Sequence, residues 1–431
     1  MACRPQKPVH DSGFRMTRHV IIGNGPAGVV AAETLRRADP DAEIVLIGDE
    51  PEPPYSRMAI PYLLAGEIGE AGTYLRKDRA HFENLRIRLL VARVLKVDTE
   101  GRLLTMQDGS TLSYGRLLIA TGSRPVRPPI PGIELPGVLS CWTLADARAI
   151  AGAVKPGARV LQMGAGFIGC IIMESLAMRG PELTIVEMGD RMVPRMMDAV
   201  AGGMIRRWCE AKGVAVRTGR QVVSIVAAGG ALQVTLDDGE QLEMDVVISA
   251  TGVKPNVAFL EGSGVVLDAG ILVDESLQSS VPGIYAAGDV AQAPEFGSGR
   301  QVVNAIQPAA VEQARIAALN MAGQPANIRG SFALNVLDTL GLISTSFGQW
   351  QGVPGGETAQ LLDEKGYRYL RLAFEGDRLI GANSVGHTEN IGVLRGLIQG
   401  RVRLGEWKAR LIDNPLAINE AYLARGLAFV P

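Results

Sequence analysis

Two long segments of the chain share one pattern of apolar and polar positions. The first, HVIIGNGPAGVVAAETLRRADPDAEIVLIGDE at 19–50, begins with a β-branched run, passes through glycines, continues as an alanine-rich helix and ends in a second apolar run. The second, ARVLQMGAGFIGCIIMESLAMRGPELTIVEMGDR at 158–191, repeats that order. Apolar runs joined through a helix predict βαβ units with parallel strands. The sequence therefore predicts an α/β protein with two Rossmann-like dinucleotide-binding domains.

Shorter alternating runs follow each βαβ unit, and both contain an Asp-Gly turn and end in Ala-Thr-Gly. From about residue 326 the character changes: YRYLRLAFEGDRLIGANSVG predicts a β-hairpin, and ENIGVLRGLIQG and LGEWKARLID predict helices. We predict a flexible leader at 1–15 with Met16 as the functional start, and a third, α+β domain at 326–431. The first dinucleotide domain takes 16–122 and 253–325, and the second takes 123–252.

Composition and charge exclude several classes of partner. The 431 residues carry 43 Lys and Arg against 45 Asp and Glu, and this near balance gives no field that attracts nucleic acid or anionic lipid. No run of 18 or more apolar residues predicts a membrane span, and the first residues lack the apolar core of a signal peptide, so a cytoplasmic protein is expected. The four cysteines, scattered without metal-ligand spacing, predict no metal site.

Each βαβ unit carries a glycine-rich turn between its first strand and its helix. Gly23, Gly25 and Gly28 occupy this place in the first unit, and Gly164, Gly166 and Gly169 in the second. Bare backbone there lets a pyrophosphate approach the positive N-terminus of the helix. A single such turn is often only a tight loop, but two correctly placed copies favour two dinucleotide sites.

The strand after the second turn ends at Glu187, whose carboxylate can accept hydrogen bonds from both hydroxyls of an adenosine ribose and would repel a 2′-phosphate. This favours NADH over NADPH, although Arg191 nearby keeps NADPH possible and an ordinary surface glutamate is the plainer interpretation. In the first unit the matching position is approximately Gly48. We expect Asp49 or Glu50 to take the ribose role there, and the sequence does not choose between them.

The segment GIYAAGDVAQA at 283–293 runs from an apolar strand into Gly288 and Asp289. Together with the two glycine turns and the Ala-Thr-Gly segments, it resembles the two-dinucleotide-domain flavoprotein reductases, which have a glutathione-reductase-like fold. The resemblance covers residues 18 to about 430 and implies FAD in the first domain and NADH in the second. It implies FAD-binding residues Gly23, Gly25, Pro26, Ala27, Gly28, Asp49, Glu50, Arg57, Val94, Ala120, Thr121, Gly122, Gly288, Asp289, Pro308 and Ala309. The implied NAD set is Gly164, Gly166, Phe167, Ile168, Gly169, Glu187, Thr251 and Gly252, with Phe167 as a possible gate.

Met58 stands where the disulfide-type members of this family carry a redox cysteine. A thioether is neither a nucleophile nor a disulfide partner, so Met58 is interpreted as packing against the flavin. Tyr55, Ser56 and Arg57 resemble the cysteine-free branch of rubredoxin, ferredoxin and nitrite reductases, in which Arg57 would reach the FAD pyrophosphate. Tyr62 and Ile171 depart from that branch, which often pairs a lysine with a glutamate there. The helix starting near Pro308 would direct its dipole at the flavin.

The resemblance implies an enzyme that passes electrons between NADH and FAD and then to a one-electron carrier of the iron–sulfur or rubredoxin type. The chain has no iron–sulfur ligands of its own, so that carrier is expected on another chain, and the enzyme could also run in reverse as the NAD-reducing subunit of a larger complex. Two alternatives remain open: a thiol-dependent peroxide or disulfide reductase using Cys141 or Cys170, and a non-enzymatic FAD-holding sensor. We expect Trp350, Trp407 and the segment around His387 to build the partner surface.

Overall fold

The computed structural model of the chain describes residues 17–78 and 80–426. The predicted leader and the predicted start at Met16 lie outside the described residues. Three five-stranded sheets, two parallel and one antiparallel, form the main architecture of the described part, and four smaller sheets accompany them.

The first sheet consists of five parallel strands that come from two separated stretches of the chain. Their order is Ile284–Ala286, Arg116–Ile119, Arg18–Ile22, Glu43–Gly48 and Ile87–Val91. The central strands are almost wholly buried, which explains why they read as continuous apolar runs rather than alternating ones. Two helices of this domain, Pro26–Ala38 and Gln307–Met321, pack along each other.

The second sheet repeats this plan with strands Ala215–Thr218, Glu182–Glu187, Arg159–Met163, Val246–Ser249 and Val138–Ser140, again all parallel. Its helices are Leu144–Ala153, Phe167–Ala177 and Ala199–Ala211. The strand Ile284–Ala286 of the first sheet follows the whole second sheet in the chain, so the first dinucleotide fold is interrupted by the second. The residue bounds proposed for the two domains stay a prediction.

A three-stranded antiparallel sheet is inserted in the chain between two strands of each parallel sheet. In the first fold it lies between Ile87–Val91 and Arg116–Ile119 and consists of Val94–Asp98, Leu103–Met106 and Thr111–Ser113. In the second it lies between Ala215–Thr218 and Val246–Ser249 and consists of Val222–Ala228, Ala231–Leu236 and Gln241–Met244. The Asp-Gly pairs fall between the last two strands of each, as predicted. Two short strands, Ser123–Pro125 and Val253–Pro255, lead into and out of the second fold and pair antiparallel with each other. A further small sheet contains Ile271–Leu272, Ala291–Pro294 and Gln301–Val302.

The C-terminal sheet is antiparallel, with the order Leu334–Thr339, Leu342–Gly348, Arg378–Val385, Arg368–Glu375 and Glu357–Asp363. The hairpin predicted from YRYLRLAFEGDRLIGANSVG is confirmed as the pair Arg368–Glu375 and Arg378–Val385. The helices Gly392–Gln399 and Trp407–Asp413 also lie where the sequence predicts them, and Ile418–Ala421 continues into a π-helical turn at Tyr422–Gly426.

Short helices complete the described part of the chain: Ile60–Ala65 and His81–Asn84, together with the 3₁₀ turns Arg57–Ala59, Glu70–Thr73 and Ala258–Leu260. Over the described ranges, none of the helices combines the length and apolarity that crossing a bilayer requires.

Candidate functional site

The first glycine turn, which we call the first loop (Gly23–Gly28), requires glycine at two positions for steric reasons. Gly23 has φ +109°, and a Cβ there would lie 2.1 Å from the carbonyl oxygen of Ala120. At Gly28 a Cβ would lie 1.8 Å from the carbonyl oxygen of Gly23. Gly25 differs, because a Cβ there would meet no atom within 4 Å. Its bare backbone therefore borders open space in front of the helix Pro26–Ala38.

The second loop (Gly164–Gly169) has the same geometry. Gly164 has φ +99° and would place a Cβ 2.5 Å from the carbonyl oxygen of Ala250, while a Cβ at Gly169 would lie 2.5 Å from the carbonyl oxygen of Gly164. Gly166 again borders open space. The alanines of the two Ala-Thr-Gly segments thus press against the first glycine of each loop. This contact brings together motifs that are far apart in the sequence.

Both loops suit a dinucleotide pyrophosphate. Gly25 and Gly166 are the N-caps of their helices, with nearly identical backbone angles, and neither helix start is capped by a side-chain hydrogen bond or carries an acidic residue in its first turn. The first N–H groups of each helix therefore remain directed at the open space, where they and the helix dipole stabilise an anion. Pro26, Ala27, Phe167 and Ile168 form these first turns. Their contacts with FAD and NAD stay predictions.

Gly288 and Asp289 lie beside the first loop. Gly288 has φ +80°, and a Cβ there would contact the Cβ atoms of Ala27 and Ala310 at 3.4 and 3.5 Å, so this turn packs between the helices Pro26–Ala38 and Gln307–Met321. The Gly288 N–H donates to Oε1 of the buried Gln313 at 2.8 Å. Pro308 and Ala309 lie in the first turn of the second helix, which again has no side-chain cap. These features position an uncapped helix start next to Asp289.

The Asp289 carboxylate is mostly enclosed and accepts a hydrogen bond from Ser123 Oγ at 2.8 Å. Burial raises the pKa of Asp289, whereas the bond from Ser123 and the charge of Arg57 oppose that rise. Ser123 directly follows the first Ala-Thr-Gly segment, so it joins this segment to the Gly-Asp turn. A carboxylate with a hydroxyl beside it can accept hydrogen bonds from a polyol such as a ribityl chain.

Arg57 belongs to a polar cluster at the interface of the two dinucleotide folds. Its Nη2 donates to Glu50 Oε1 at 2.7 Å, and Glu50 Oε2 accepts from the Tyr55 hydroxyl at 2.6 Å. The guanidinium carbon lies 5.2 Å from the centroid of the Trp142 ring, whose Nε1–H donates to the Ser123 carbonyl at 2.9 Å. Burial, followed by the bond to Glu50, raises the pKa of Tyr55. The contact of Arg57 with the FAD pyrophosphate stays a prediction.

Met58 lies in the 3₁₀ turn Arg57–Ala59 with 47% of its surface exposed, and Tyr62 on the next helix is 54% exposed. The helix of Tyr62 packs against the helix Phe167–Ala177, which carries the half-buried Ile171. Packing of Met58 against the flavin and the weakly charged pocket around Tyr62 stay predictions. Val94, also expected near FAD, is buried in the core of the first domain.

The two Ala-Thr-Gly threonines act as a reciprocal pair of clamps. Thr121 Oγ1 donates to the Asn256 carbonyl at 2.9 Å, and Thr251 Oγ1 donates to the Val126 carbonyl at 3.0 Å. Their glycines take part as well: the N–H of Asn256 donates to the Gly122 carbonyl and that of Val126 to the Gly252 carbonyl, both at 2.9 Å. Each motif therefore holds the connecting segment of the other fold, which fixes the angle between the two folds.

Glu187 ends its strand directly beneath the second loop. Its Oε2 accepts from the Ala165 N–H at 2.6 Å and its Oε1 from the Gly189 N–H at 2.7 Å. The carboxylate is thereby fixed at the rim of the loop and remains partly exposed. Phe167 is half-buried at the first helical position, and its gating role stays a prediction.

A small apolar recess lies between the second loop and the connecting strands, lined by Pro125, Cys141, Trp142, Ile168, Ile172 and Val253 among others. Burial raises the pKa of Cys141 to about 12 and that of Cys209 likewise, and it raises the pKa of Cys170 well above its usual value. The nucleophile in thiol chemistry is the thiolate, which such buried groups do not form near neutral pH. The geometry gives no support to the thiol-dependent alternative.

In the C-terminal domain Trp407 stacks with Arg410 at 4.5 Å, the Trp350 carbonyl accepts from Arg371 at 2.6 Å, and His387 is half-buried with a pKa lowered chiefly by burial. These contacts are local to the domain. The partner surface expected there stays a prediction.

Four residues of the site were not found from the sequence: Ser123, Trp142, Asn256 and Gln313. Ser123 alone had a usable signal, because it directly follows Ala-Thr-Gly. The other three act through contacts between residues distant in the chain, such as the hydrogen bond that the Gly288 N–H donates to Gln313. Periodicity and local motifs do not encode such contacts.

Comparison with known proteins agrees with this geometry. The sequence profile of the pyridine nucleotide-disulphide oxidoreductase family matches residues 17–309, more than half of the chain. The chain is 33% identical to the NADH-dependent phenylglyoxylate dehydrogenase subunit epsilon of Aromatoleum evansii, over 96% of this chain and 99% of that subunit. It is also 33% identical to the biphenyl dioxygenase system ferredoxin–NAD(+) reductase component of Paraburkholderia xenovorans, over 71% of this chain and 74% of that protein.

Among solved structures, a ferredoxin reductase from Rhodopseudomonas palustris is similar with a TM-score of 0.82 at 27% identity, covering 89% of this chain and 95% of that one. The covalent putidaredoxin reductase–putidaredoxin complex is similar with a TM-score of 0.87 at 25% identity, covering 95% of this chain and 98% of the matched chain. The glutathione-reductase-like arrangement of two Rossmann-like folds is therefore confirmed.

Proposed function

Because the chain belongs to the pyridine nucleotide-disulphide oxidoreductase family, we propose that it is the flavin subunit through which a larger dehydrogenase exchanges electrons between NADH and an iron–sulfur partner chain. The chain is an FAD-dependent NAD(P)H oxidoreductase, and the predictions of FAD and NAD(H) as its cofactors are confirmed. The observation that carries the proposal is the match along almost the whole length of a subunit of an NADH-dependent dehydrogenase.

The first fold provides the FAD site. FAD, when bound, supplies a carrier that takes up two electrons together and passes them on singly. The first loop holds the pyrophosphate with backbone N–H groups, and Asp289 with Ser123 accepts hydrogen bonds from the ribityl hydroxyls. The start of the helix Gln307–Met321 stabilises negative charge on the flavin ring, because no side chain caps its free N–H groups.

The second fold provides the NADH site. The second loop binds the pyrophosphate, and Glu187 accepts hydrogen bonds from the adenosine ribose while its charge repels the 2′-phosphate of NADPH. The threonine clamps at Thr121 and Thr251 set the angle between the folds. A fixed angle would hold a nicotinamide bound to the second fold close to a flavin bound to the first, an arrangement that would suit hydride transfer in either direction and require no general base.

The surroundings of the described cysteines favour direct electron transfer to another chain over a thiol relay. The three described cysteines are buried, and Met58 stands where a redox thiol would be needed. Without a thiol relay among the described residues, bound FAD would supply electrons directly to a partner that docks close to it. Ferredoxin-linked reductases among the similar proteins support an iron–sulfur carrier as that partner.

The test is an anaerobic titration of the purified protein with NADH or NADPH while the oxidised-flavin absorbance is followed. NADH should bleach the flavin near one equivalent, and a reduced sample should then pass electrons to an added ferredoxin. A flavin that NADH does not reduce, or a reduced protein that reacts with disulfides but not with ferredoxin, would contradict the proposal.

Glu187→Ala tests the nucleotide preference. Loss of the ribose acceptor should weaken NADH binding roughly 10- to 150-fold, since hydrogen bonds to a charged group contribute about 1.5–3 kcal/mol, and should improve NADPH binding relative to wild type. Glu182→Ala is a matched control, because Glu182 begins the same strand at its opposite, exposed end. Equal KM changes in both variants would contradict the role of Glu187.

A further inference from the structure

The side chain of Asn24, the second residue of the first loop, lies directly over Gly48. A Cβ built on Gly48 would lie 2.2 Å from Nδ2 and 2.7 Å from Oδ1 of Asn24. The carboxamide therefore occupies the space into which any side chain at position 48 would project. This space is at the end of the strand Glu43–Gly48, beside the first loop.

In the second fold the matching space is occupied by the residue at the strand end rather than by a residue of the loop. The Gly23 N–H donates to the Ile47 carbonyl and the Gly164 N–H to the Val186 carbonyl, both at 2.7 Å. Gly48 and Glu187 are the next residues, so they occupy equivalent positions. Asn24 in turn corresponds to Ala165, whose N–H binds the Glu187 carboxylate at 2.6 Å.

One fold thus combines a small loop residue with a long strand-end side chain, and the other combines a long loop residue with a bare strand end. The acidic residues after Gly48 do not fill the same space. Glu50 is engaged by Tyr55 and Arg57, and Asp49 is exposed and makes no side-chain hydrogen bond within the part of the chain that the structure describes.

Resting on the proposed function, we propose that Asn24, rather than Asp49 or Glu50, binds the adenosine ribose of FAD. A carboxamide presents a donor and an acceptor, which suits the two hydroxyls of a ribose. The physical reason for a neutral group is the ligand. NADH has to be separated from NADPH, which differs by a 2′-phosphate, so the second loop gains from a negative charge. FAD has no phosphorylated counterpart, so the first loop needs hydrogen bonds but no charge.

The experiment measures FAD binding to the apoprotein by flavin fluorescence. Two ligands are compared: FAD and an analogue whose adenosine lacks both ribose hydroxyls. Asn24→Ala should weaken FAD binding about two- to twelvefold, the range for a neutral hydrogen bond. Wild type should lose a similar factor on going to the analogue, whereas Asn24→Ala should bind both ligands almost equally. If the loss caused by Asn24→Ala and the loss caused by the analogue multiply instead, Asn24 acts only by packing and the inference is overturned.

Gly48 supplies a second set of variants that does not depend on Asn24→Ala folding well. Gly48 has no positive φ, so Gly48→Ala chiefly displaces the carboxamide. It should weaken FAD binding as much as Asn24→Ala does, and the double variant N24A/G48A should be no worse than either. The variant N24A/G48E rebuilds the arrangement of the second loop and should regain most of the affinity. A double variant that loses the product of the two single losses would contradict the assignment.

These outcomes separate the inference from the function. If wild type binds FAD and NADH bleaches it, but Asn24→Ala binds FAD as tightly as wild type, only the role of Asn24 fails. If wild type binds FAD but NADH does not reduce it, the proposed function fails whatever Asn24 does.

Discussion

The two glycine loops have the same backbone but different side chains at the strand end. Gly23 and Gly164 adopt closely similar positive φ angles against an alanine carbonyl, and Gly25 and Gly166 leave the same open space. The strand ends differ. In the first fold the side chain of Asn24 lies over Gly48, whereas in the second the Glu187 carboxylate accepts a hydrogen bond from the Ala165 N–H. Under the proposed function, the shared backbone suits what both ligands have in common, a pyrophosphate near a helix start, and the side chains differ where the ligands differ.

The comparison extends into the sheets. His19 of the first sheet corresponds to Val160 of the second, since Arg18 and Arg159 both pair with the first residue of the next strand. Both positions are fully buried. The two cores therefore match in position here but differ by a titratable imidazole, and substitutions at matched positions can show whether that difference matters.

The largest effect is expected from alanine at the first glycine of each loop. Gly23→Ala and Gly164→Ala would both combine a positive φ with an overlap against a backbone carbonyl, which costs on the order of 3 kcal/mol. We expect Gly23→Ala to be purified without flavin. Gly164→Ala should retain FAD but lose reduction by NADH. Flavin absorbance of each variant measures its FAD content and its reduction by NADH, and thermal unfolding measures the loss of stability.

Gly152→Ala is the control for the glycine pair. Gly152 lies in the helix Leu144–Ala153 without positive φ, and a Cβ there meets nothing within 4 Å. Alanine should stabilise this helix by up to about 1 kcal/mol. Loss of FAD from Gly164→Ala would show that the two loops do not serve separate ligands.

A smaller, pH-dependent effect is expected at His19. Burial lowers the pKa of His19, and the bond to Asp39 only partly offsets it. The unfolded chain, in which this imidazole has its ordinary pKa of 6.5, binds a proton that the folded chain does not. Stability should therefore fall as the pH drops below about 6.5. His19→Val, which copies Val160, should flatten that slope.

Thermal unfolding at several pH values between about 7.5 and 5.5 compares the variant with wild type. Part of the slope should remain in His19→Val, because burial also lowers the pKa of His387. The reverse variant Val160→His should steepen the slope through the second fold. If His19→Val and wild type have the same slope, His19 titrates as it does in the unfolded chain.

The βαβ units, both loops and the C-terminal hairpin could be predicted because each has a local signal: an apolar run, a glycine spacing or an alternating pattern. Glu187 was predictable because it ends such a run. Trp142 and Asn256 were not, since their roles depend on contacts across the whole second fold, where Ser123–Pro125 pairs with Val253–Pro255. For the adenosine ribose of the first fold the sequence pointed to the acidic residues Asp49 and Glu50, because a neutral side chain over a glycine has no recognisable sequence signal.

The smallest effect is expected at the threonine clamps, which are related by the pairing of the connecting strands. Thr121 is half-buried, whereas Thr251 is exposed. A valine at 121 leaves the Asn256 carbonyl without its donor in a place that water reaches poorly, and should cost about 1 kcal/mol. At 251 water can replace the lost hydroxyl, so Thr251→Val should cost less than half as much. Urea unfolding of both variants measures the difference. Thr235→Val, in the strand Ala231–Leu236, is the control, because the Thr235 hydroxyl makes no hydrogen bond within the described residues. Equal losses at 121 and 251 would mean that exposure does not decide the strength of these clamps, and that the two folds are held together as symmetrically as their backbones suggest.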